Sequence, residues 1–486
     1  MKKIVSIAIV AIMILALFMP ASAAPPVTVS NFAQFKTALE DATTTHIVFA
    51  GDIQIENHGV VINPAKPELV IDGGGYTMTS HYRGSSTPDT LRLTSLKTLK
   101  SITLQNMVIV NLNKQGVVHV PDSSSYSDVT VTYNNISMVG AQIIEAKKSI
   151  AVFRNCNINL TPFIGNHPSE VAAAAHVRLE GYINIIKDAP GCKMELFHIH
   201  AKGGGLSVAS GAVVNVEDNV GIGRPKDWGF VKVPYGSCYI RFEDDSKFSY
   251  VGNNIFQKGE EISEVYIGRR AEISIRTYGN FFSENGMFSV CGRMTIETGA
   301  KVNLLGLGND KDKPVIWLDK GSELLINNPR EVLIYNSYPK SSKDGLAIRA
   351  DGAKITTFTA NNIELLEFWS MNVRAYDSLF GPTREWSNPN GSLFSVSVSQ
   401  KEKKTTSVFY NGYFGYSPLN AATATLNNVN VIRINGGFAQ NEATIIREFY
   451  DIDNPYGAPL KVVAPLSVSR GAYNYPHDAI PGYEPA

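Results

Sequence analysis

Beyond residue 45 the apolar residues fall in short runs in which apolar and polar positions alternate, as at 46–49, 69–72, 101–104, 129–132, 150–153 and 176–179. A period of two puts every second side chain on one face, so each run predicts a strand with one buried side. Gly, Asn, Asp and Ser separate the runs, but few Asn-Gly or Asp-Gly pairs stand between them to close two-residue hairpins. The pattern therefore predicts strands stacked in parallel, one coil above the last. A six-residue motif, small-small-variable-apolar-polar-apolar, supports this. It recurs at 211–216, 270–275, 299–304, 321–326 and 352–357, with a weaker copy at 245–250. A period of roughly 20–50 residues marks a solenoid or propeller, and the scarcity of hairpins disfavours a propeller. The uneven step reads as loops of variable length on a constant rung.

One helical pattern interrupts this. Over roughly residues 31–41, Phe32, Phe35 and Leu39 share a helical face, and Asn31 and Gln34 have the spacing of a capping box. A lone helix ahead of a long β region predicts a cap over the first open rung, whose unpaired edge would otherwise recruit other strands. Asn134, Asn135, Asn155, Asn157 and Asn159 sit at strand ends. They read either as stacked amide ladders or as turn residues tolerating a left-handed backbone.

The ends differ in character. Lys2 and Lys3 precede an apolar run at 7–19, and Ala21-Ser22-Ala23 has the form of a signal-peptidase site. Residues 1–23 are therefore expected to be a signal peptide, with no membrane span after cleavage and a secreted or cell-surface location. Residues 24–45 form the cap and 46–370 the solenoid. Residues 371–467 are either further rungs or a C-terminal β cap, and 468–486 a tail rich in Pro and Tyr.

Charge adds an exclusion. With 44 Lys+Arg against 44 Asp+Glu, nothing in the balance attracts nucleic acid or an anionic membrane. Cys156, Cys192, Cys238 and Cys291 show neither CxxC nor zinc-ligand spacing and read as small core residues rather than bridges.

Three segments carry a family resemblance: Asn31-Phe-Ala-Gln-Phe-Lys-Thr-Ala-Leu-Glu-Asp, Thr45-His-Ile-Val-Phe-Ala-Gly-Asp-Ile-Gln-Ile and Leu69-Val-Ile-Asp-Gly-Gly-Gly-Tyr-Thr-Met. They resemble the opening of the pectate lyase-like adhesive domain of bacterial surface proteins, and the Gly-Ala repeats are similar, over roughly residues 30 to 370. The resemblance implies an all-β, right-handed parallel β-helix with a short N-terminal capping helix, and an adhesive, non-catalytic role.

Related β-helices include polysaccharide lyases and hydrolases, so catalytic motifs matter. Trp317 and Asp319 look like a lyase Trp-x-Asp strand, but Lys320 follows where a His is expected, and no Arg-x-Pro-x-x-Arg segment follows. They read as a strand and turn. Hydrolase chemistry needs two opposed carboxylates. Asp244-Asp245 and Arg433-Ile434-Asn435 are the nearest approach to the motifs of polygalacturonase-like enzymes, and their Gly-His-Gly is missing. Glu243-Asp244-Asp245, Asp310-Lys311-Asp312 and Asp451-Ile452-Asp453 read as solvated turns rather than Ca²⁺ sites. His198 and His200 share a strand face, but no third ligand stands nearby in sequence, so they read as a packing pair. Gly73-Gly74-Gly75 and Gly203-Gly204-Gly205 read as tight corners. No catalytic residue, metal ligand or cofactor is assigned. The densest aromatic run supplies the candidate binding residues Tyr410, Tyr413, Phe414 and Tyr416, with packing of the last rungs as their alternative role. The function expected is an adhesin-like protein binding an extracellular glycan, matrix or cell-surface protein. A divergent lyase or hydrolase and a self-assembling structural protein are the other readings.

Overall fold

The structure is a computed structural model. It describes residues 25–348, apart from 57–58, 82–89, 94–97, 112–115, 123–128, 162–169, 188–194, 219–228, 234–236, 253–261, 279–286, 308–313, 328 and 337–347; from residue 349 onward it describes strand backbones only.

The chain is a parallel β-solenoid. The strand Glu170–Lys187 shows a whole cross-section. Its first part pairs in parallel with Phe197–Ile199, its middle with Gly205–Val208 and its end with Val213–Asp218. Each coil thus contributes to three faces, here numbered 1 to 3 in that order. Face 2 runs from Val27–Val29 to Glu385–Ser387, every step parallel. There the direction changes. Leu365–Ser370 pairs antiparallel with Val429–Gly436, which also pairs antiparallel with Leu393–Gln400. Glu442–Phe449 and Lys461–Ser469 form a separate antiparallel pair. Within 371–467, Glu385–Ser387 continues the parallel ladder, while the other paired strands there run antiparallel.

The corner between faces 2 and 3 is the most regular device in the fold. In successive coils it holds a residue in the left-handed region: Gly74, Asn106, Asn135, Asn155, Gly181, Gly211, Asp245, Arg270 and Gly299. A single left-handed residue turns the chain sharply, which favours Gly and, next, Asn. The amides also stack: Asn106 Nδ2 donates to Asp72 at 3.0 Å and Asn135 Nδ2 to Asn106 Oδ1 at 2.9 Å. The two roles anticipated for the asparagines therefore coexist. The six-residue motif is this corner plus the start of the next strand. Its second position is a buried small residue, Ala212, Ser246, Ala271, Ala300 or Ser322. The short step to the copy at 321 has a different cause from loop length. Gly321 opens the face 2 strand Glu323–Asn327, whereas Gly299 opens the face 3 strand Lys301–Gly306.

Helix α1 (Phe32–Glu40) begins where expected. Asn31 Oδ1 accepts from Gln34 N at 3.0 Å, while the Gln34 side chain returns to Ser30 N at 2.8 Å, one residue earlier than in a capping box. Phe35 and Leu39 are buried, and Phe35 meets Phe49 edge-on at 5.3 Å. The helix lies inside the first coil rather than ahead of it, because Val27–Val29 precedes it and pairs with His46–Phe49. A strand of three residues is too short to show a period. At the far end, buried Lys66 donates to the carbonyls of Ala38, Asp41 and Thr44, closing the C-terminal end of α1.

Inward positions carry a continuous core of Ile, Val, Leu and Phe. Aromatic rings run along the axis: Tyr133 on Phe153 at 5.3 Å, Phe153 on Phe197 at 6.4 Å, Phe197 on Phe230 at 5.4 Å, and Phe230 on Phe248 at 5.2 Å. Cys156 is a buried free thiol and Cys238 is buried, as expected of core residues. Cys291 is half-buried, and Cys192 lies outside the described residues.

Candidate functional site

Parallel stacking in register converts one outward position of a coil into a column along the solenoid. On face 2, one column reads Tyr239, Glu264, Arg293, Glu323. Its charges alternate, and Arg293 meets Glu323 at 3.0 Å. Neighbouring columns hold further pairs. Arg241 grips Glu264 through two bonds of 2.8 Å and lies over the Tyr239 ring at 4.6 Å. Arg178 bridges Glu180 and Glu243, and Arg154 binds Glu180 at 2.7 Å. Burial would raise the Glu243 carboxyl, but the Arg178 bonds and the Ser210 amide outweigh it and hold it below its usual range.

Face 3 differs. Its outward column Ser137, Asn157, Asn184, Asn215, Ser249, Ser274, Asn303 carries no charge. Asn184 Nδ2 donates to Asn157 Oδ1 at 3.0 Å. Amides and hydroxyls repeat there about every 4.8 Å, the strand spacing. The column beside it reads Tyr182, Val213, Lys247, Glu272, Lys301, Glu331. Tyr182 at its head is 56% exposed. The surface is a polar ruled plane with donors and acceptors at regular intervals and an aromatic ring at one edge.

Face 1 contains a cluster of another kind. Glu170 opens its strand, and Glu195 and His198 come from the next coil, where His198 pairs with Ala173. One ligand atom from each of the three lies within 4.8 Å of the others. His198 Nδ1 is 3.1 Å from Glu195 Oε1 and 3.8 Å from Glu170 Oε2, and Lys232 Nζ is 3.8 Å from Glu195 Oε1. Gln142 Nε2 donates to Glu170 Oε1 at 2.9 Å. Glu170 Oε2 and Glu195 Oε1 are enclosed and make no hydrogen bond. Burial, then the charges of Glu195 and Glu145, push the Glu170 carboxyl up to about 8, and burial raises Glu195 too. Burial first, then His200 and Lys232, pull His198 down to about 2, and burial pulls His200 down to about 4. The His198 and His200 rings stack at 3.7 Å, so the expected packing pair is present. The groups that join His198 are Glu195, three residues before it, and Glu170 on the preceding coil, while His200 stays outside the cluster. Parallel register brings Glu170 there, and no short-range spacing announces it. The sequence signal is a carboxylate directly before Val171-Ala172-Ala173-Ala174-Ala175 and a Glu three residues before His198.

The other anticipated residues are dispersed. Trp317 is in the strand Ile316–Leu318 and Asp319 in the turn after it, its carbonyl accepting from Ser322 Oγ at 2.6 Å. Asp245 occupies the left-handed corner and pairs with Arg270 at 2.6 Å, which lowers its carboxyl. Gly73–Gly75 and Gly203–Gly205 stand at corners, with Gly74, Gly75 and Gly203 left-handed. Arg433 lies in the strand Val429–Gly436, opposite Glu367 and Ser397. Tyr410 lies in Val408–Asn411 opposite Phe394, and Tyr413 and Phe414 pair with Ser387 and Trp386. Three of the four candidate binding residues therefore sit on antiparallel strands at the C-terminal end. Tyr416, Asp310-Lys311-Asp312, Asp451-Ile452-Asp453 and the signal-like segment 1–23 lie outside the described residues.

This geometry, a parallel ladder with a helix tucked into its first coil, is what the opening segments imply. Residues 26–145 match the family model of the pectate lyase-like adhesive domain. The match takes in α1, Lys66 and the first asparagine corners. No curated protein matches the chain. Among solved structures, "L. reuters 100-23 SRRP" aligns with a TM-score of 0.42 at 12% identity, over 71% of this chain and 96% of that one. No helix among the described residues is long and apolar enough to cross a membrane.

Proposed function

We propose that this protein is an extracellular or cell-surface adhesin-like β-helix, which holds a glycan, matrix or cell-surface partner along its outer faces and does no catalysis. The observation that carries the reading is the register of face 3. Seven coils present Asn or Ser at one position, uncharged, outward and evenly spaced. A hydroxyl-rich polymer lying along the axis would exchange water for a series of equivalent hydrogen bonds, each weak, which sum because they act on one ligand. The adhesive description of the domain matched by residues 26–145 supports the same reading. A lyase or hydrolase would instead place opposed carboxylates, or a carboxylate cluster with an Arg or Lys base, in an open groove. Glu170 and Glu195 are enclosed, and the half-buried carboxylates Glu180, Glu243 and Glu264 are engaged by arginines.

The test incubates the purified chain with immobilised polysaccharides and cell-wall material, with and without Ca²⁺. It follows retention, new reducing ends and unsaturated uronate absorbance. Retention without turnover is expected. Turnover above a heat-killed control contradicts the proposal, as does failure to be retained on any surface.

A further inference from the structure

We propose that Glu170, Glu195 and His198 form a binding site for a divalent cation of the Zn²⁺ or Mn²⁺ class, joining two adjacent coils. The donor set is two carboxylates and one imidazole, the mixed oxygen–nitrogen set that suits such cations. Ca²⁺ and Mg²⁺ prefer six or more oxygen ligands, which this enclosed corner does not offer. The spacing fits. Ligands about 2.0–2.1 Å from a tetrahedral ion lie roughly 3.3 Å from one another. The contacts of His198 Nδ1 with Glu195 and Glu170, 3.1 and 3.8 Å, bracket that value.

A second observation points to a ligand independently of the cluster. Glu170 is 7% exposed and Glu195 1%, yet one carboxylate oxygen of each faces His198 without a hydrogen bond. Buried carboxylates are normally paired and hydrogen-bonded, and leaving them bare is costly. Among the described residues, Lys232 is the single cation within 4 Å of the cluster, against two carboxylates. Lys147 is instead paired with Glu145 at 3.2 Å.

The surroundings are ordered as a metal site requires. Gln142 Nε2 donates to Glu170 Oε1 and to the Ile144 carbonyl, which fixes the carboxylate and leaves Oε2 for the ion. His200 stacks on His198 and sets its ring plane. Such supports orient the ligands and their loss usually weakens binding by about 10–100-fold. Three protein ligands leave one tetrahedral position open. With Glu170 on one coil and Glu195 and His198 on the next, an ion would tie successive turns of face 1 together.

The experiment strips the purified full chain with EDTA, dialyses it against Zn²⁺, Mn²⁺, Ca²⁺ or Mg²⁺ separately, and measures bound metal by mass spectrometry and affinity by calorimetry. One equivalent of Zn²⁺ or Mn²⁺ is expected, with a thermal midpoint raised by several degrees at saturating metal. E195Q and H198A should weaken binding at least tenfold. E264Q, which makes the same charge change at an exposed ion pair, should bind like the parent. Absence of bound Zn²⁺ and Mn²⁺, or binding unchanged in E195Q and H198A, overturns the proposal. If those variants do not fold, hydrogen exchange on the parent chain decides. Slower exchange at 170–174 and 195–200 on adding the bound metal supports the site, and unchanged exchange there overturns it.

Discussion

Lys66 shows how one side chain can decide the fate of an element. Its ammonium is enclosed under α1 and donates to three carbonyls that the helix and the following turn leave without partners. Burial lowers its pKa, and nearby Asp41 opposes that shift. Lys66→Met keeps the stem and removes the donors. It should cost at least ~2 kcal/mol, since a buried carbonyl without a partner costs about 1–3 kcal/mol. Urea unfolding and hydrogen exchange in residues 32–44 measure it. Cys156 illustrates the opposite case, a polar atom made inert by its surroundings. Burial pushes its thiol up to about 12, so the reactive thiolate is scarce at pH 8. Iodoacetamide at that pH should leave Cys156 unmodified in the native chain and label it in guanidinium, as peptide mapping would show.

The corner between faces 2 and 3 is an element in its own right, and it was half legible. Asn155 in a strand-end Asn-x-Asn-x-Asn stretch announces a turn or a ladder, and the structure makes it a left-handed corner whose Oδ1 accepts from Tyr182 N at 3.0 Å. Arg270 was not legible as a left-handed residue. The motif copy at 270–275 marks the corner, but an Arg at its first position carries no left-handed preference, and its side chain pairs with Asp245 one coil back. Gly181 stands against Asn155 so closely that an added Cβ would lie 2.2 Å from its Oδ1, and its φ is +64°. Gly181→Ala should therefore cost about 1–3 kcal/mol. At Asn135 the two roles separate. Asn135→Gly keeps the backbone and loses the 2.9 Å amide bond, whereas Asn135→Ala loses both. The alanine variant should be less stable than the glycine variant by about 1–2 kcal/mol in chemical denaturation. Truncating the axial stack at Phe153 should cost about 3–5 kcal/mol, because two ring neighbours lose their contact at once.

The whole molecule is a stack, and its legibility follows from that. Alternation and the recurring six-residue motif are local, so the parallel solenoid could be read from them. What depends on register between coils could not. Glu170 lies close to His198 because both stand on face 1 of neighbouring coils, and Asn157, Asn184 and Asn215 form a column because corners hold the coils in phase. The antiparallel pairing of Leu365–Ser370 and Glu385–Ser387 with later strands was likewise hidden, since an isolated strand carries no mark of its partner's direction. Stacking also makes the ends vulnerable. Removing residues 25–45 would strip α1 and Val27–Val29 from the edge of His46–Phe49. The truncated chain should grow in size with concentration in light scattering, while the intact chain does not.

The central claim is that binding is spread along face 3 without a catalytic centre. It is tested most directly by measuring retention on the captured polysaccharide or cell-wall material for Asn184→Lys, Asn215→Lys and Asn303→Lys, singly and together. Each single change should weaken retention roughly two- to tenfold, the net worth of a hydrogen bond of about 0.5–1.5 kcal/mol. The triple variant should lose about the product of the three, with no reducing ends released by any chain. Retention untouched by the triple change, or new reducing ends from the parent chain, would contradict the account.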